Sequence, residues 1–161
     1  MQTVIERMPC SFEEFMKLPQ LRLTAPEDTC AAFLCAVELF RRDKEEGTKA
    51  LNVLRGPRPL TGIDVQFVQD RLRGKGYLPM AYFRGALPEN GYTPEKPYVL
   101  DVLPDSSPQG VEEGYIRVFL RTAGADSPRP IKLRRKGEQW FLWEYSSPLT
   151  GIRPPAALDT W

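Results

Sequence analysis

The hydrophobic period of this chain changes once, across residues 74–97. Before that stretch apolar residues recur every three or four positions, as on one face of a helix; after it they alternate, as on a strand. The 24 residues between, GKGYLPMAYFRGALPENGYTPEKP, follow neither period. Connections this long without structure of their own are uncommon in compact domains, and are usually functional or disordered. Tyr77, Leu78, Met80, Tyr82, Phe83, Leu87 and Tyr92 are too apolar for disorder, so an ordered covering is expected. Helices followed by strands point to an α+β domain, with N-terminal helices packed on a curved C-terminal antiparallel sheet of about four strands.

A length of 161 residues suits one domain, 1–161. It divides into a helical half at about 11–73, the connection 74–97, a sheet at 98–145 and an extended tail at 146–161. Charges nearly cancel, with 22 Lys and Arg against 21 Asp and Glu, so any pull toward nucleic acid or membrane must be local. The chain has no histidine, which excludes imidazole bases, Ser-His-Asp and Cys-His arrangements and H-E-x-x-H zinc sites. No phosphate-binding glycine loop and no C-x-x-C pair is spelled, and neither metal nor cofactor is expected. The three cysteines, Cys10, Cys30 and Cys35, make an odd count, and Cys30 and Cys35 read as small buried hydrophobes of a reducing compartment. The opening MQTVIERMPCSFEEF lacks an apolar run, so no secretory signal is expected, and the apolar stretch 31–40 is too short to span a bilayer. These features favour the cytoplasm.

Capping boxes at Ser11–Glu14 and Thr24–Glu27, and a weaker one at Thr61–Asp64, predict helix starts. The first helix is predicted over 12–18. The second runs from about 25 to 46, buried over much of its circumference and closed by Gly47 as C-terminal cap. A short helix at 48–54 follows, then one at 62–73 with Ile63, Phe67, Val68 and Leu72 inward. Arg42 and Glu46 are expected to pair on a solvated helix end.

Strands are predicted at Tyr98–Leu103, Tyr115–Thr122, Pro130–Lys136 and Gln139–Tyr145. Their connections are too short for crossover helices, so the order implies an antiparallel meander. The last strand is apolar on both sides and is expected to be central, or covered by the 74–97 segment. The closing hairpin, Ile131 to Trp143, resembles that of nuclear-transport-factor-2-like (NTF2-like) proteins; the resemblance implies an NTF2- or cystatin-like cone with a pocket inside. A wider resemblance rests on Tyr82-Phe-Arg-Gly-Ala86, Pro88-Glu-Asn-Gly-Tyr-Thr-Pro94, Gly124-Ala-Asp-Ser-Pro-Arg-Pro130, Trp140-Phe-Leu-Trp143 and Gly151-Ile-Arg-Pro-Pro155. These strings are similar to those of a bacterial family of unknown function, which implies folding as a unit and no particular chemistry.

Three groups of side chains are candidates for function. In the connection, Arg84 among Tyr82, Phe83, Asn90 and Tyr92 is of a type that clamps an anion bidentately while rings stack beside it. From residue 114 to 136 there are seven cations and one acid. There Arg117 and Arg134, with Trp143, form a second candidate contact set for phosphates and rings. A solvated cationic face that discourages edge pairing is the simpler account of those strands. The third group is Glu144 and Asp101, the in-strand carboxylates available as acid/base for a metal-independent pocket enzyme. The favoured reading is a non-catalytic module binding a protein or small anionic ligand, with self-association into a homodimer through the sheet as an option. A single-stranded nucleic-acid binder is the least favoured, and no membrane role is expected. Leu149, Ile152 and Trp161 in the tail are expected to dock on the domain or on another subunit.

Overall fold

The computed structural model describes residues 1–159. The chain opens with strand β1 (Gln2–Ile5), followed by the short helix α1 (Phe12–Phe15), then α2 (Pro26–Arg42), α3 (Lys44–Arg55) and α4 (Gly62–Leu72). Strands β2 (Tyr98–Pro104), β3 (Tyr115–Leu120), β4 (Arg129–Lys136) and β5 (Gln139–Glu144) complete a five-stranded antiparallel sheet in the order β1-β2-β3-β4-β5. The fold is α+β, a curled sheet packed with helices. The extra strand, β1, comes from the N-terminus, where the Met1 carbonyl accepts from Val102 N–H at 2.8 Å.

Helix α2 is the centre of the core. Every residue from Thr29 to Phe40 is buried, so the helix touches protein on all sides. The inner sheet face meets it with Leu100, Val102, Val118, Leu120, Ile131, Leu133 and Leu142. Burying each side chain of this size contributes roughly 1.5–3 kcal/mol. Cys30 and Cys35 lie in this core as free thiols, as expected; Cys10 is free and exposed.

The helix boundaries differ from expectation at one informative place. The predicted helix of 25–46 is two helices, broken at Asp43, whose carboxylate caps α3 by accepting from Glu46 N–H at 3.1 Å. Gly47 is therefore no C-cap; it lies inside α3. A Cβ built there would stand 2.1 Å from Phe40 Cα, so glycine is what lets α3 fold back directly onto α2. Arg42 pairs with Glu38 at 3.3 Å rather than with Glu46, and Arg41 also turns back onto the buried Glu38. Thr24 caps nothing, since the N-cap of α2 is Ala25. Thr61 and Ser11 cap as predicted. Ile63 faces solvent, 84% exposed, while Val68 and Leu72 carry the inward face of α4.

The connection 74–97 is ordered. Leu78, Ala81, Tyr82, Phe83, Ala86 and Tyr92 are buried in it. It covers the β2 side of the sheet, not the last strand: Phe83 bridges to Leu100, and Arg84 N–H donates to Val99 O at 2.9 Å. It thus pairs with β2 at residues that β3, ending at Leu120, does not reach. Strand β5 is an edge, not central, and its free side is closed by the turn before α2, by α2 and by α3 instead. Trp140 N–H donates to Leu23 O at 2.7 Å, and Thr29 Oγ1 donates to Trp140 O at 2.8 Å. Covered edges of this kind prevent strand addition by another chain. The tail is held on by tyrosines: the Tyr82, Tyr77 and Tyr92 hydroxyls donate to the carbonyls of Pro148, Ile152 and Arg153. Leu149 and Ile152 dock on the domain as expected; Trp161 lies outside the described residues. Among those, no helix is long and apolar enough to cross a membrane.

Candidate functional site

The aromatic connection supplies structure more than surface. Tyr82, Phe83 and Tyr92 are at most 3% exposed, and Tyr92 stacks on Tyr77 with centroids 5.3 Å apart. Asn90 is spent on its own turn, accepting from Leu87 and Thr93 N–H and donating to Gly85 O. Three of the strings that carry the family resemblance meet here, those holding Tyr92, Gly124 and Arg153: Gly124 leaves room for Tyr92, since a Cβ on it would stand 2.5 Å from the Tyr92 hydroxyl. Arg153 reaches Asp126 at 2.9 Å and Ala123 O at 2.9 Å. Arg84 is exposed but occupied. Its Nε and Nη2 grip the Asp101 carboxylate at 3.1 and 2.6 Å, and Nη2 also donates to Gln2 Oε1 at 3.0 Å.

That fork also bears on Asp101 as an acid/base group. The hydrogen bond from Arg84 holds its carboxyl below the usual range, so it is a poor proton acceptor near neutrality. Glu144 is exposed at the end of β5. The pairs Leu133 with Leu142 and Lys132 with Glu144 leave Trp143 as the extra residue of a β-bulge. The bulge sets Glu144 opposite Lys132, in a hollow shared with Arg117, rather than on one side with Trp140 and Leu142.

The bulge is where the remaining candidates converge. On the outer sheet face Tyr115 stands opposite Arg134, and Arg134 opposite Phe141. Tyr115 meets Trp143 edge-on at 5.4 Å. Cations sit over both rings: Lys132 and Arg134 lie 5.0 and 5.4 Å from the Tyr115 centroid, Arg134 and Arg58 lie 4.9 and 4.1 Å from that of Trp143. Arg117 stands apart, held by Asp105 at 2.9 Å.

Beneath Trp143 the end of α3 closes a cavity of about 310 Å³ lined by Arg55, Pro57, Arg58, Arg134, Arg135, Lys136, Phe141, Leu142 and Trp143. Gly56, at φ +64°, lets the chain leave α3 against the Phe141 ring, which a Cβ would meet at 3.0 Å. Arg55 is only 9% exposed. Its Nη1 donates to Leu142 O and Trp143 O at 3.0 and 2.9 Å, fixing the bulge, while its buried Nε has no partner. No carboxylate lines the cavity, and among the described residues none of its five cations is in an ion pair. Arg84, Arg117 and Arg153 each have one.

Of the predicted ligand contacts, then, the structure brings Arg134 and Trp143 to this cavity, keeps Arg84 and Arg117 on the surface in ion pairs, and commits Tyr82, Phe83, Asn90 and Tyr92 to the fold. Sequence reasoning missed Arg55, Arg58, Arg135, Lys136 and Phe141 as a group. The available signal was an absence: residues 47–63 and 127–137 contain no acid. Among the described residues no group of three or more His, Cys, Asp or Glu side chains is placed to hold a metal.

No curated protein and no solved structure matches this chain. A family model described as a domain of unknown function does, over residues 7–156, which takes in all of α1–α4, β2–β5 and the cationic cavity. On that match the chain belongs to the DUF6935 family.

Proposed function

We propose that this domain binds a small anion in the cavity between the end of α3 and the β4–β5 hairpin. One observation carries the reading: five cations surround about 310 Å³ with no carboxylate among the lining residues. Bringing guanidinium and ammonium groups together without counter-charge is unfavourable, and a bound anion relieves it. The volume is at the lower end of small-molecule sites, and the wall combines rings with a few charged groups, as such sites do. Arg55, nine-tenths buried and tied to strand carbonyls, is pre-organised, so less side-chain entropy is lost on binding. Arg84, the clamp that the sequence suggested, already holds Asp101 and is not part of the site.

Titration with inorganic phosphate at constant ionic strength, followed by calorimetry and thermal unfolding, tests this. Phosphate at about 100 times its Kd stabilises by about 2.7 kcal/mol through linkage. The reading predicts saturable binding that is lost in Arg135→Gln/Lys136→Gln and kept in Arg84→Gln. Binding that is absent, or that falls equally in both variants, refutes it.

A further inference from the structure

Resting on that anion reading, we infer that the ligand is a phosphomonoester carrying a planar ring, of about mononucleotide size, its phosphate held by the cations and its ring stacked on Trp143. The indole is the reason. Its bulge position turns it to the outer face, where Arg58 lies 4.1 Å and Arg134 4.9 Å from the ring centroid. A guanidinium is flat, so Arg58 marks a place where a planar group stacks on this ring. Arg58 is exposed and sits between Pro57 and Pro59, past the end of α3. No hydrogen bond holds its head, so a ligand ring can replace it while the freed guanidinium turns toward the phosphate.

The charge pattern selects phosphate over carboxylate. Five cations are more than one monoanion needs, and arginine forks match phosphate oxygens bidentately. Arg84 shows the geometry inside this molecule, with Nε and Nη2 on the two oxygens of Asp101. On Arg55 the same edge is unspent: Nε is without a partner, and Nη2 makes no hydrogen bond. Arg135 has one bond, to Gly137 O at 2.8 Å, and Lys136 none, so both are free to turn inward. The cavity, at about 310 Å³, is too small for a polymer and holds one nucleotide-sized molecule.

The experiment compares adenosine monophosphate, ribose 5-phosphate and inorganic phosphate by calorimetry on the whole chain. Adenosine monophosphate is expected to bind about tenfold more tightly than ribose 5-phosphate, the scale of one base stacked on an aromatic side chain. It is also expected to quench tryptophan emission where ribose 5-phosphate does not. Trp143→Leu, checked for folding by circular dichroism, is expected to erase both the preference and the quench. Equal binding of all three phosphates by the wild type overturns the ring assignment alone and leaves the anion site standing. A preference that survives Trp143→Leu overturns it too. No binding of any of them overturns both. An affinity that grows with oligonucleotide length, and falls steeply with salt, would replace the small ligand by a single strand. Should Trp143→Leu not fold, the wild-type comparison still decides.

Discussion

Gly47→Ala separates two opposite expectations for one methyl group. Gly47 is helical and inside α3, where alanine is intrinsically better than glycine by about 0.8–1 kcal/mol. Propensity alone therefore predicts a more stable protein. The tertiary structure predicts the reverse, because the new Cβ would lie 2.1 Å from Phe40 Cα and 2.3 Å from Phe40 N. These are backbone atoms of α2, which no rotamer change can move aside. Overpacking of a tight core costs typically about 1–3 kcal/mol, and backbone contact places this case at the upper end. Subtracting the propensity gain leaves about 2 kcal/mol of net destabilisation. For a domain of this size each kcal/mol moves Tm by about 2–4 °C, so melting is expected about 4–8 °C lower. Thermal and urea unfolding followed by circular dichroism measure it. A melting point unchanged or raised would refute the close α2–α3 approach, and with it the break at Asp43.

Other perturbations have equally definite outcomes. Asp43→Ala removes the cap of α3 and is expected to cost about 1 kcal/mol in urea unfolding; no loss would argue for a continuous helix. Tyr92→Phe removes the hydroxyl that donates to Arg153 O and is expected to cost about 1 kcal/mol, with faster amide exchange in the tail near residue 153. Unchanged exchange would show that the tail is held otherwise. Arg84→Gln tests the Asp101 fork. Because Arg84 lowers the folded pKa of Asp101, the contribution is present above the unfolded carboxylate pKa and disappears as pH falls through the folded value. Both partners are more than a third exposed, so the cost at pH 7 is expected to be small and to shrink with added salt. It should vanish in acid, and a difference from wild type that persists there would exclude the pair as its source.

What was legible in the sequence follows from how local its causes are. Strands β2–β5 fall within one or two residues of the predicted ranges, because short runs rich in β-branched and aromatic residues are bounded by turn-forming Pro, Gly, Asp and Ser. Strand β1 was not visible: four residues carry too little alternation, and their partner lies about a hundred positions on. The Asp43 break was hidden because Arg41 to Glu46 suits a continuous helix, and Gly47 suits a cap. Only the contact with Phe40 reveals glycine as a crossing point. The burial of Tyr82, Phe83 and Tyr92 follows from their apolar character, which commits their rings to the core. The cavity was the least legible part. Arg55 and Leu142, which frame it, are 87 positions apart, and the bulge that turns Trp143 outward leaves no mark in a hydrophobic pattern.

A residue-resolved phosphate titration by two-dimensional NMR bears most directly on the cationic cavity. Saturable shifts concentrated at Arg55, Arg58, Arg134, Arg135, Lys136 and the Trp143 indole, with Arg84 and Arg117 unmoved, are the predicted result. Shifts scattered evenly over surface cations, or none at the indole up to saturating phosphate, would contradict it.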